Sequence, residues 1–269
     1  MSAQTRSEIK QMLESHGLAP MHRLGQHFLA DPNITRKIVE VSGVGPGDQV
    51  LEIGAGTGTL TSALAESGAR VVAYEIDPGL RPVLEEVTEG TSVDLRFEDI
   101  TKVDLSGIVG TGSWALVANL PYNVGTPLLM DALRYQPSIV RFVVMVQREV
   151  ADRLVAGPGT DAYGLPSVVA SIHSDARLEF TVAPQVFYPR PNVESAVVTL
   201  SRRPTQPNSE AAIELARSAF GQRRKMLRGA LASVLDDPAV VIEEARIDPR
   251  SRAEDLSPDD YLRLAAVVA

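Results

Sequence analysis

Two short stretches of the chain carry residue types that perform chemistry in proteins. The first is Leu-Glu-Ile-Gly-Ala-Gly-Thr-Gly, which ends at Gly58 and lies between an apolar run and a helical pattern. Glycines let a backbone turn tightly and approach a ligand, at the strand ends where doubly wound sheets bind nucleotides. About twenty residues later the next apolar run ends at Glu75, whose carboxylate is placed to accept hydrogen bonds from ribose hydroxyls. The spacing predicts a nucleoside-containing ligand held by Gly54, Gly56 and Glu75.

The ligand of this glycine loop has three interpretations. A nicotinamide dinucleotide requires G-x-G-x-x-G/A, but here Thr59 stands at the third position and Gly58 comes one residue early. A glycine turn without a ligand is the second interpretation. The E-x-G-x-G-x-G form resembles the S-adenosylmethionine loop of class I methyltransferases, which is the interpretation we favour. Asp99, which ends the third predicted strand, is then expected to bond the adenine amine of the cofactor; a turn or cap role is its alternative.

The second stretch is Asn119-Leu-Pro-Tyr, at the end of the fourth predicted strand. The lone pair of an adenine amine is delocalised into the ring, so an enzyme that methylates it needs acceptors for the amine hydrogens. The Asn119 side-chain oxygen offers one acceptor, and a backbone carbonyl freed by Pro121 offers another. Tyr122 offers a flat face on which a flipped base stacks, worth roughly 1–3 kcal/mol. A sulfonium cofactor carries the positive charge that drives methyl transfer, so we expect no metal ion in the site. The alternative for the Asn-Leu-Pro-Tyr tetrapeptide is a simple turn without a catalytic role.

Alternating strands and helices must position these residues. Apolar runs at residues 49–54, 70–76, 93–97, 114–120 and 139–147 predict buried strands, with helical patterns between them. Such alternation implies a parallel sheet covered on both faces. The fold class predicted is therefore α/β, with a Rossmann-like, doubly wound and mostly parallel sheet.

The pattern changes towards the C-terminus. Closely spaced prolines between Phe180 and Glu194 predict an ordered loop, which leads to a final antiparallel strand over residues 195–200 at the sheet edge. After a proline-containing hinge, all remaining segments read as short helices, one of them over residues 223–235. We therefore predict a catalytic, cofactor-binding domain at 1–200 and a small all-helical RNA- or substrate-binding domain at 201–269.

Composition limits the possible functions. The chain contains no cysteine, which excludes disulfides, thiolate metal sites and cysteine nucleophiles. No apolar run approaches the roughly 20 residues that cross a bilayer, and the N-terminus reads as a polar, amphipathic helix without a signal-peptide core. We expect a cytoplasmic protein without a membrane partner. The net charge of -8 argues against a general nucleic-acid coat, so any RNA contact must come from a local cluster.

Taken in order, these motifs resemble those of the ribosomal RNA adenine dimethyltransferase family, and specifically its bacterial small-subunit (16S) members. The resemblance runs from about Met21 to the C-terminus and adds several blocks to the glycine loop and the tetrapeptide. These blocks are Leu24-Gly-Gln-His-Phe-Leu29, Tyr74-Glu-Ile-Asp77, Glu98-Asp99, Gln147-Arg-Glu-Val150 and Phe187-Tyr-Pro-Arg-Pro-Asn-Val-Glu-Ser195.

The resemblance implies roles for residues that spacing alone leaves open. His27 and Leu29 would line the cofactor site, although His27 replaces the asparagine that is frequent in the family. A histidine packed against the surface and a core leucine are the alternatives. Phe187 would sandwich the target base opposite Tyr122, and a buried core aromatic is its alternative. Arg190 replaces a usual proline, which either loosens its loop or adds a phosphate contact.

A basic stretch stands out in this acidic chain. Arg223, Arg224, Lys225 and Arg228 lie close together near the start of the predicted C-terminal helices. We expect them to contact RNA phosphates; a solvated helix face is the alternative.

The implied function is transfer of methyl groups from S-adenosylmethionine to the N6 amines of two adjacent adenines in small-subunit ribosomal RNA. The substrate would be a ribosomal subunit or an assembly intermediate, and the protein a monomer with a role in subunit biogenesis. Two alternatives remain: a large-subunit methyltransferase of the antibiotic-resistance type, and a non-catalytic RNA-binding assembly factor. Intact Asn119, Tyr122 and Glu75 argue against the second of these.

Overall fold

Two β-sheets organise the part of the chain that the structure describes. A computed structural model covers residues 4–269, and its strands are β1 (Phe28–Leu29), β2 (Gln49–Ile53), β3 (Arg70–Glu75), β4 (Asp94–Phe97), β5 (Trp114–Asn119), β6 (Ile139–Gln147), β7 (Ser174–Val182), β8 (Phe187–Tyr188) and β9 (Ser195–Arg202). Seven of them form one sheet in the order β4-β3-β2-β5-β6-β9-β7. The other two, β1 and β8, pair antiparallel in a short ladder.

The sheet is parallel through its first five strands, as the sequence predicts. Strand β2 pairs in parallel with β3 on one side and with β5 on the other, while β4 and β6 continue the sheet outwards. The strand order therefore reverses at β2, and ligands of doubly wound sheets bind in the crevice at such a reversal. The glycine loop and the Asn-Leu-Pro-Tyr tetrapeptide both follow strands that border this crevice.

Helices occupy much of the remaining chain. They are α1 (Arg6–Ser15), α2 (Pro32–Ser42), α3 (Thr59–Glu66), α4 (Arg81–Val87), α5 (Ser106–Val109), α6 (Gly125–Tyr135), α7 (Arg148–Val155), α8 (Leu165–His173), α9 (Ser209–Gly221), α10 (Leu227–Leu231), α11 (Pro238–Glu244) and α12 (Pro258–Val268). The α/β class with C-terminal helices is confirmed. None of the helices within residues 4–269 is long and apolar enough to cross a membrane.

The edge of the sheet differs from the sequence prediction. Strand β9 is antiparallel to β6, as expected, but it lies inside the sheet because β7 forms the edge next to it. Asp175, Arg177 and Glu179 alternate with apolar residues along β7, so their charges lie on the exposed face of a half-buried strand. A prediction based on continuous apolar runs misses this alternating pattern. Charged residues of this kind protect edge strands from pairing with other chains.

The chain divides into two compact units, and the division is not a single cut. One unit comprises the chain through Ala151 together with Arg177–Ser201, and the other comprises Asp152–Ala176 and Arg202–Ala269. The sequence pattern predicts a single boundary after residue 200, whereas helix α8 contacts α9 and α12 and belongs with the C-terminal helices. Segments 152–176 and 202–269 are separated in the chain by residues 177–201 but fold into the same compact unit. The order of elements along the chain therefore does not reveal this unit. The functional roles assigned to the two parts stay predictions.

Gly58 lies at the tightly packed start of α3, where alanine would meet a neighbouring side chain. Its φ is +80°, and a Cβ there would lie 3.0 Å from Val87 Cγ1; Gly90 has a φ of +76° with nothing within 4 Å of such a Cβ. Both alanine variants lose about 1–2 kcal/mol to the left-handed backbone. We expect Gly58→Ala to lose roughly 1–3 kcal/mol more, because overpacking adds to the strain. Urea unfolding of both variants measures the difference, and equal losses would contradict the packing argument.

Candidate active site

The glycine loop leaves β2 and folds tightly against β1. Gly56 has a φ of +59°, and a Cβ at this position would lie 3.0 Å from Phe28 Cδ1, so both the backbone and the available space require glycine. A Cβ on Gly54 would lie 3.4 Å from the ring of Pro121. The loop therefore contacts both the N-terminal ladder and the tetrapeptide.

Glu75, the last residue of β3, fixes this loop from the other side. Its side chain is 5% exposed, and its two carboxylate oxygens accept hydrogen bonds from Gly56 N at 2.8 Å and from Asp77 N at 2.9 Å. Burial raises the pKa of Glu75 above its ordinary value. Each carboxylate oxygen has two lone pairs, so acceptor capacity is left for a ligand.

A second polar bridge joins the N-terminal segment to the end of β3. Gln26 accepts a hydrogen bond from Met21 N at 2.7 Å and donates one to Asp77 Oδ2 at 2.8 Å. The other oxygen of Asp77 accepts from Gly79 N at 3.0 Å. Gln26 and Asp77 were not predicted as site residues, although both stand in blocks that carry the family resemblance.

Asn119 ends β5, and only one of the two polar atoms of its side-chain amide has a hydrogen-bond partner among residues 4–269. Its Nδ2 donates to the carbonyl oxygen of His27 at 3.2 Å. Its Oδ1 is buried and has no hydrogen-bond partner among residues 4–269. An unsatisfied buried acceptor costs about 1–3 kcal/mol, so we expect a water or a ligand group to complete the bonding of Oδ1.

Tyr122 is held at both its ring and its hydroxyl. The hydroxyl lies 2.5 Å from Ser195 Oγ, and burial raises the pKa of Tyr122. The ring stacks on that of His27, with centroids 5.7 Å apart and planes 28° from parallel. His27 Nδ1 lies 2.8 Å from the carbonyl oxygen of Pro189, which can only accept, so Nδ1 carries the hydrogen. His27 thus covers one face of the tyrosine.

These groups surround a cavity of about 210 Å³ at the carboxyl ends of the parallel strands. The cavity brings together every residue that was predicted to bind the cofactor and three of the four that were predicted to be catalytic. They are His27, Leu29, Gly54, Gly56, Glu75, Asp99, Asn119, Pro121 and Tyr122.

The fourth predicted catalytic residue, Phe187, lies apart from this lining. Its side chain is 0% exposed within the main hydrophobic core, and it pairs with Leu29 across the ladder of β1 and β8. This is the position of a core aromatic, the alternative that the sequence left open. A stacking role for Phe187 stays a prediction, and it requires the buried side chain to become exposed.

Asp99 has the cap role that the sequence left open as an alternative. Its Oδ1 accepts from Thr101 Oγ1 at 2.6 Å and from Thr101 N at 3.1 Å, which caps a 3-10 turn at Ile100–Lys102. The hydrogen bond from the Thr101 hydroxyl lowers the pKa of Asp99. The residue also lines the cavity, so its contact with a cofactor stays a prediction.

The basic stretch lies outside the unit that contains the cavity. Arg223, Arg224 and Lys225 occupy a turn between α9 and α10, and Arg228 lies on α10. The expected helix over residues 223–235 is therefore only Leu227–Leu231, where the apolar side chains are buried. All four basic side chains are exposed, and Arg223 Nε pairs with Glu254 Oε2 at 3.1 Å.

Comparison with known proteins establishes the family. Residues 20–269 match the family described as ribosomal RNA adenine dimethylase. The chain belongs to this family. One relative, from Phenylobacterium zucineum, is named ribosomal RNA small subunit methyltransferase A and is 45% identical over 98% of this chain and 94% of its own length. A relative of the same name from Kineococcus radiotolerans is 42% identical over 96% of this chain and 89% of its own.

Solved structures of dimethylases and related enzymes share the fold. A dimethyladenosine transferase from Plasmodium falciparum has a TM-score of 0.75 at 23% identity, covering 88% of this chain and 96% of its own. The 23S rRNA methyltransferase ErmE has a TM-score of 0.68 at 24% identity, and the match covers 89% of this chain and 98% of the ErmE chain. At these identities the likeness shows a common fold, and the choice of substrate is not carried over.

Glu52, which lines the cavity, makes the free energy of unfolding depend on pH. Burial raises the pKa of this β2 carboxyl to about 8, so the folded protein keeps a proton that the unfolded chain releases above its ordinary pKa of 4.5. This proton stabilises the fold at low pH, and the contribution is lost as pH rises through the window between 4.5 and about 8. We expect Glu52→Gln to gain stability relative to wild type across that window, by up to about 1.4 kcal/mol per pH unit.

The measurement is the free energy of unfolding of wild type and Glu52→Gln at a series of pH values. The exposed Glu89→Gln serves as the matched control and should run parallel to wild type. A constant difference between Glu52→Gln and wild type at every pH would mean that Glu52 titrates normally.

Proposed function

We propose that the protein transfers methyl groups from S-adenosylmethionine to the N6 amines of two adjacent adenines in small-subunit (16S) ribosomal RNA. The observation that carries the proposal is the buried Asn119 Oδ1, which has no partner among residues 4–269 and belongs to a cavity-lining side chain. The names of the curated relatives at 39–45% identity support the small subunit as the substrate.

The cavity fits the cofactor in the chemistry of its lining. Gly56 lets the loop backbone pack closely against Phe28 at the cavity wall, and Glu75 has lone pairs left for the ribose hydroxyls. In the proposal Asp99, which lines the cavity, accepts a hydrogen bond from the adenine amine, and His27 and Leu29 line the cavity on the side of β1. When bound, S-adenosylmethionine supplies a methyl group on a positively charged sulfur.

The chain's own task is to orient the amine. In this proposal Asn119 Oδ1 accepts a hydrogen bond from one hydrogen of the amine. The carbonyl oxygen of Leu120, which precedes Pro121, accepts a hydrogen bond from the other. The amine lone pair then points away from the ring plane and towards the methyl group. Because no strong base is needed, most of the rate enhancement comes from positioning.

Tyr122 holds the base in the proposal. Its ring offers a stacking surface, and its hydroxyl is fixed by Ser195. The imidazole of His27 already lies over one face, so an incoming adenine takes the place of His27 or uses the opposite face. Stacking of either kind is worth roughly 1–3 kcal/mol.

Contact with the ribosomal subunit is assigned to the basic stretch in the second unit. Arg223, Arg224, Lys225 and Arg228 are exposed, and a concentrated positive patch is informative in a chain of net charge -8. We place the substrate in a small subunit or an assembly intermediate, and we propose that the protein acts as a cytoplasmic monomer.

The proposed function is tested with ribosomal subunits that lack the modification. Purified protein and labelled S-adenosylmethionine are incubated with small or with large subunits, and methylated adenines are mapped by mass spectrometry. We expect dimethyladenosine at two adjacent positions in small-subunit RNA only. Methylation confined to large subunits would favour the resistance-type alternative, and cofactor binding without any methylation would favour the non-catalytic assembly factor.

Asn119→Ala separates chemistry from binding in the same assay. The variant should slow methyl transfer by about 10²–10³-fold, the usual loss for one polar group that acts on the transition state. Its affinity for small subunits should change by less than about twofold, because the amide acts mainly in the transition state and adds little to ground-state binding. The exposed Asn33→Ala is the control. Equal losses of rate and affinity would assign Asn119 to binding instead.

The basic stretch is tested by the salt dependence of subunit binding. Arg223→Ala, Arg224→Ala and Lys225→Ala together should weaken binding and flatten the log–log salt slope by roughly 0.7–0.9 for each phosphate that is no longer neutralised. The modified adenines should not change, since phosphate contacts position without specifying. A triple alanine variant of the exposed Arg70, Arg246 and Arg250 is the control. Identical salt slopes for the two triple variants would mean that the basic stretch is a solvated surface that does not contact RNA phosphates.

A further inference from the structure

Helix α1 precedes the family match at residues 20–269 but packs on the same core as the cavity. Its Ile9 and Leu13 are buried at 0% and 2% exposure, in a cluster that also contains Ala55 of the glycine loop and Leu60 of α3. The helix is therefore a fixed part of the unit that holds the cavity.

The side chain of Gln4, just before this helix, contacts the glycine loop directly. Gln4 is 6% exposed; its Nε2 donates to the carbonyl oxygen of Thr57 at 2.9 Å, and its Oε1 accepts from Thr59 Oγ1 at 2.8 Å. Thr57 and Thr59 flank Gly58, and both line the cavity. One planar amide thus spans the junction between the loop and α3, whose own N-cap residue, Gly58, has no side chain to cap the helix.

The local structure of α1 aims Gln4 at this junction. Thr5 is the N-cap of α1 and forms a capping box with Glu8, in which Thr5 N donates to Glu8 Oε2 at 2.6 Å. A capping box fixes the direction in which the chain enters a helix. At the far end of α1, His16 Nε2 lies 3.1 Å from Glu86 Oε2 on α4. The buried Ile9 and Leu13 and the His16–Glu86 contact hold α1 in place, and the capping box orders the start of the helix next to Gln4.

We propose that Gln4 is a positioning residue for the cofactor: it orders the glycine loop before the ligand arrives and so raises cofactor affinity. This inference rests on the proposed function, because it assigns the ligand of that loop as S-adenosylmethionine. Glycine-rich segments lose more conformational entropy on ordering than other residues, and ordering in advance removes that cost from binding. The role requires a donor and an acceptor in one side chain, which glutamine supplies and glutamate does not.

The test compares Gln4→Ala and Gln4→Glu with Gln11→Ala, a matched control because Gln11 is an exposed glutamine on α1. Calorimetric titration measures the affinity for S-adenosylmethionine, and hydrogen exchange measures protection of residues 54–60 without cofactor. Steady-state kinetics on small subunits separates KM for the cofactor from kcat. Circular dichroism and thermal unfolding check that each variant is folded.

We expect both Gln4 variants to bind S-adenosylmethionine about tenfold more weakly, the effect of losing one or two neutral hydrogen bonds. KM for the cofactor should rise by a similar factor, with kcat and subunit affinity unchanged, and the loop amides should exchange faster. Gln11→Ala should match wild type in every measurement. The split between KM and kcat identifies positioning, since a general loss of structure would lower kcat and subunit affinity as well.

Two results would overturn the inference. One is wild-type cofactor affinity and loop protection in Gln4→Ala; the other is a loss of kcat without a change in KM for the cofactor. Failure of wild-type protein to bind S-adenosylmethionine would overturn the proposed function instead. In that case the exchange of residues 54–60 still decides whether Gln4 orders the loop.

Discussion

A single hydrogen bond to the His27 carbonyl fixes the orientation of the Asn119 amide, and the proposed chemistry of the site depends on that constraint. Its Nδ2 donates to the carbonyl of His27, which leaves Oδ1 as the half without a protein partner in the described chain. The group left over is therefore an acceptor, which is what an amine hydrogen would require in the proposed reaction. A flipped amide would present a donor, which an adenine amine cannot use. The N-terminal segment thus sets the orientation of a side chain that β5 supplies.

Buried polar groups connect that segment to the rest of the cavity. Glu75 joins the glycine loop to the end of β3, Asp77 carries the connection to Gln26, and Gln4 reaches the far side of the loop. Burial raises the pKa of Glu75, so desolvation of this carboxyl has a cost that the bonds to backbone N–H groups offset in part. Unsatisfied or costly groups of this kind concentrate at functional sites, where local rules of stability are broken.

Much of the fold and part of the site can be predicted from local sequence. The parallel strands appear as apolar runs, and Gly54, Glu75 and Asn119 stand at their ends, where sheet topology brings them together. Contacts between distant segments cannot be read in this way. Gln4 meets a loop 53 residues later, and Gln26 meets Asp77 51 residues later, with no periodicity to mark either pair. Phe187 has an aromatic side chain suited to stacking, but only the β1–β8 ladder shows that it is buried.

The most direct test of the account is a crystal structure with S-adenosylhomocysteine and an RNA fragment that contains the target adenines. The account predicts Asn119 Oδ1 within about 3 Å of the adenine N6, with Nδ2 still bound to the His27 carbonyl. The adenine ring would stack on Tyr122. An Asn119 amide that turns Nδ2 towards the base, or an Oδ1 that bonds to a protein donor, would contradict it.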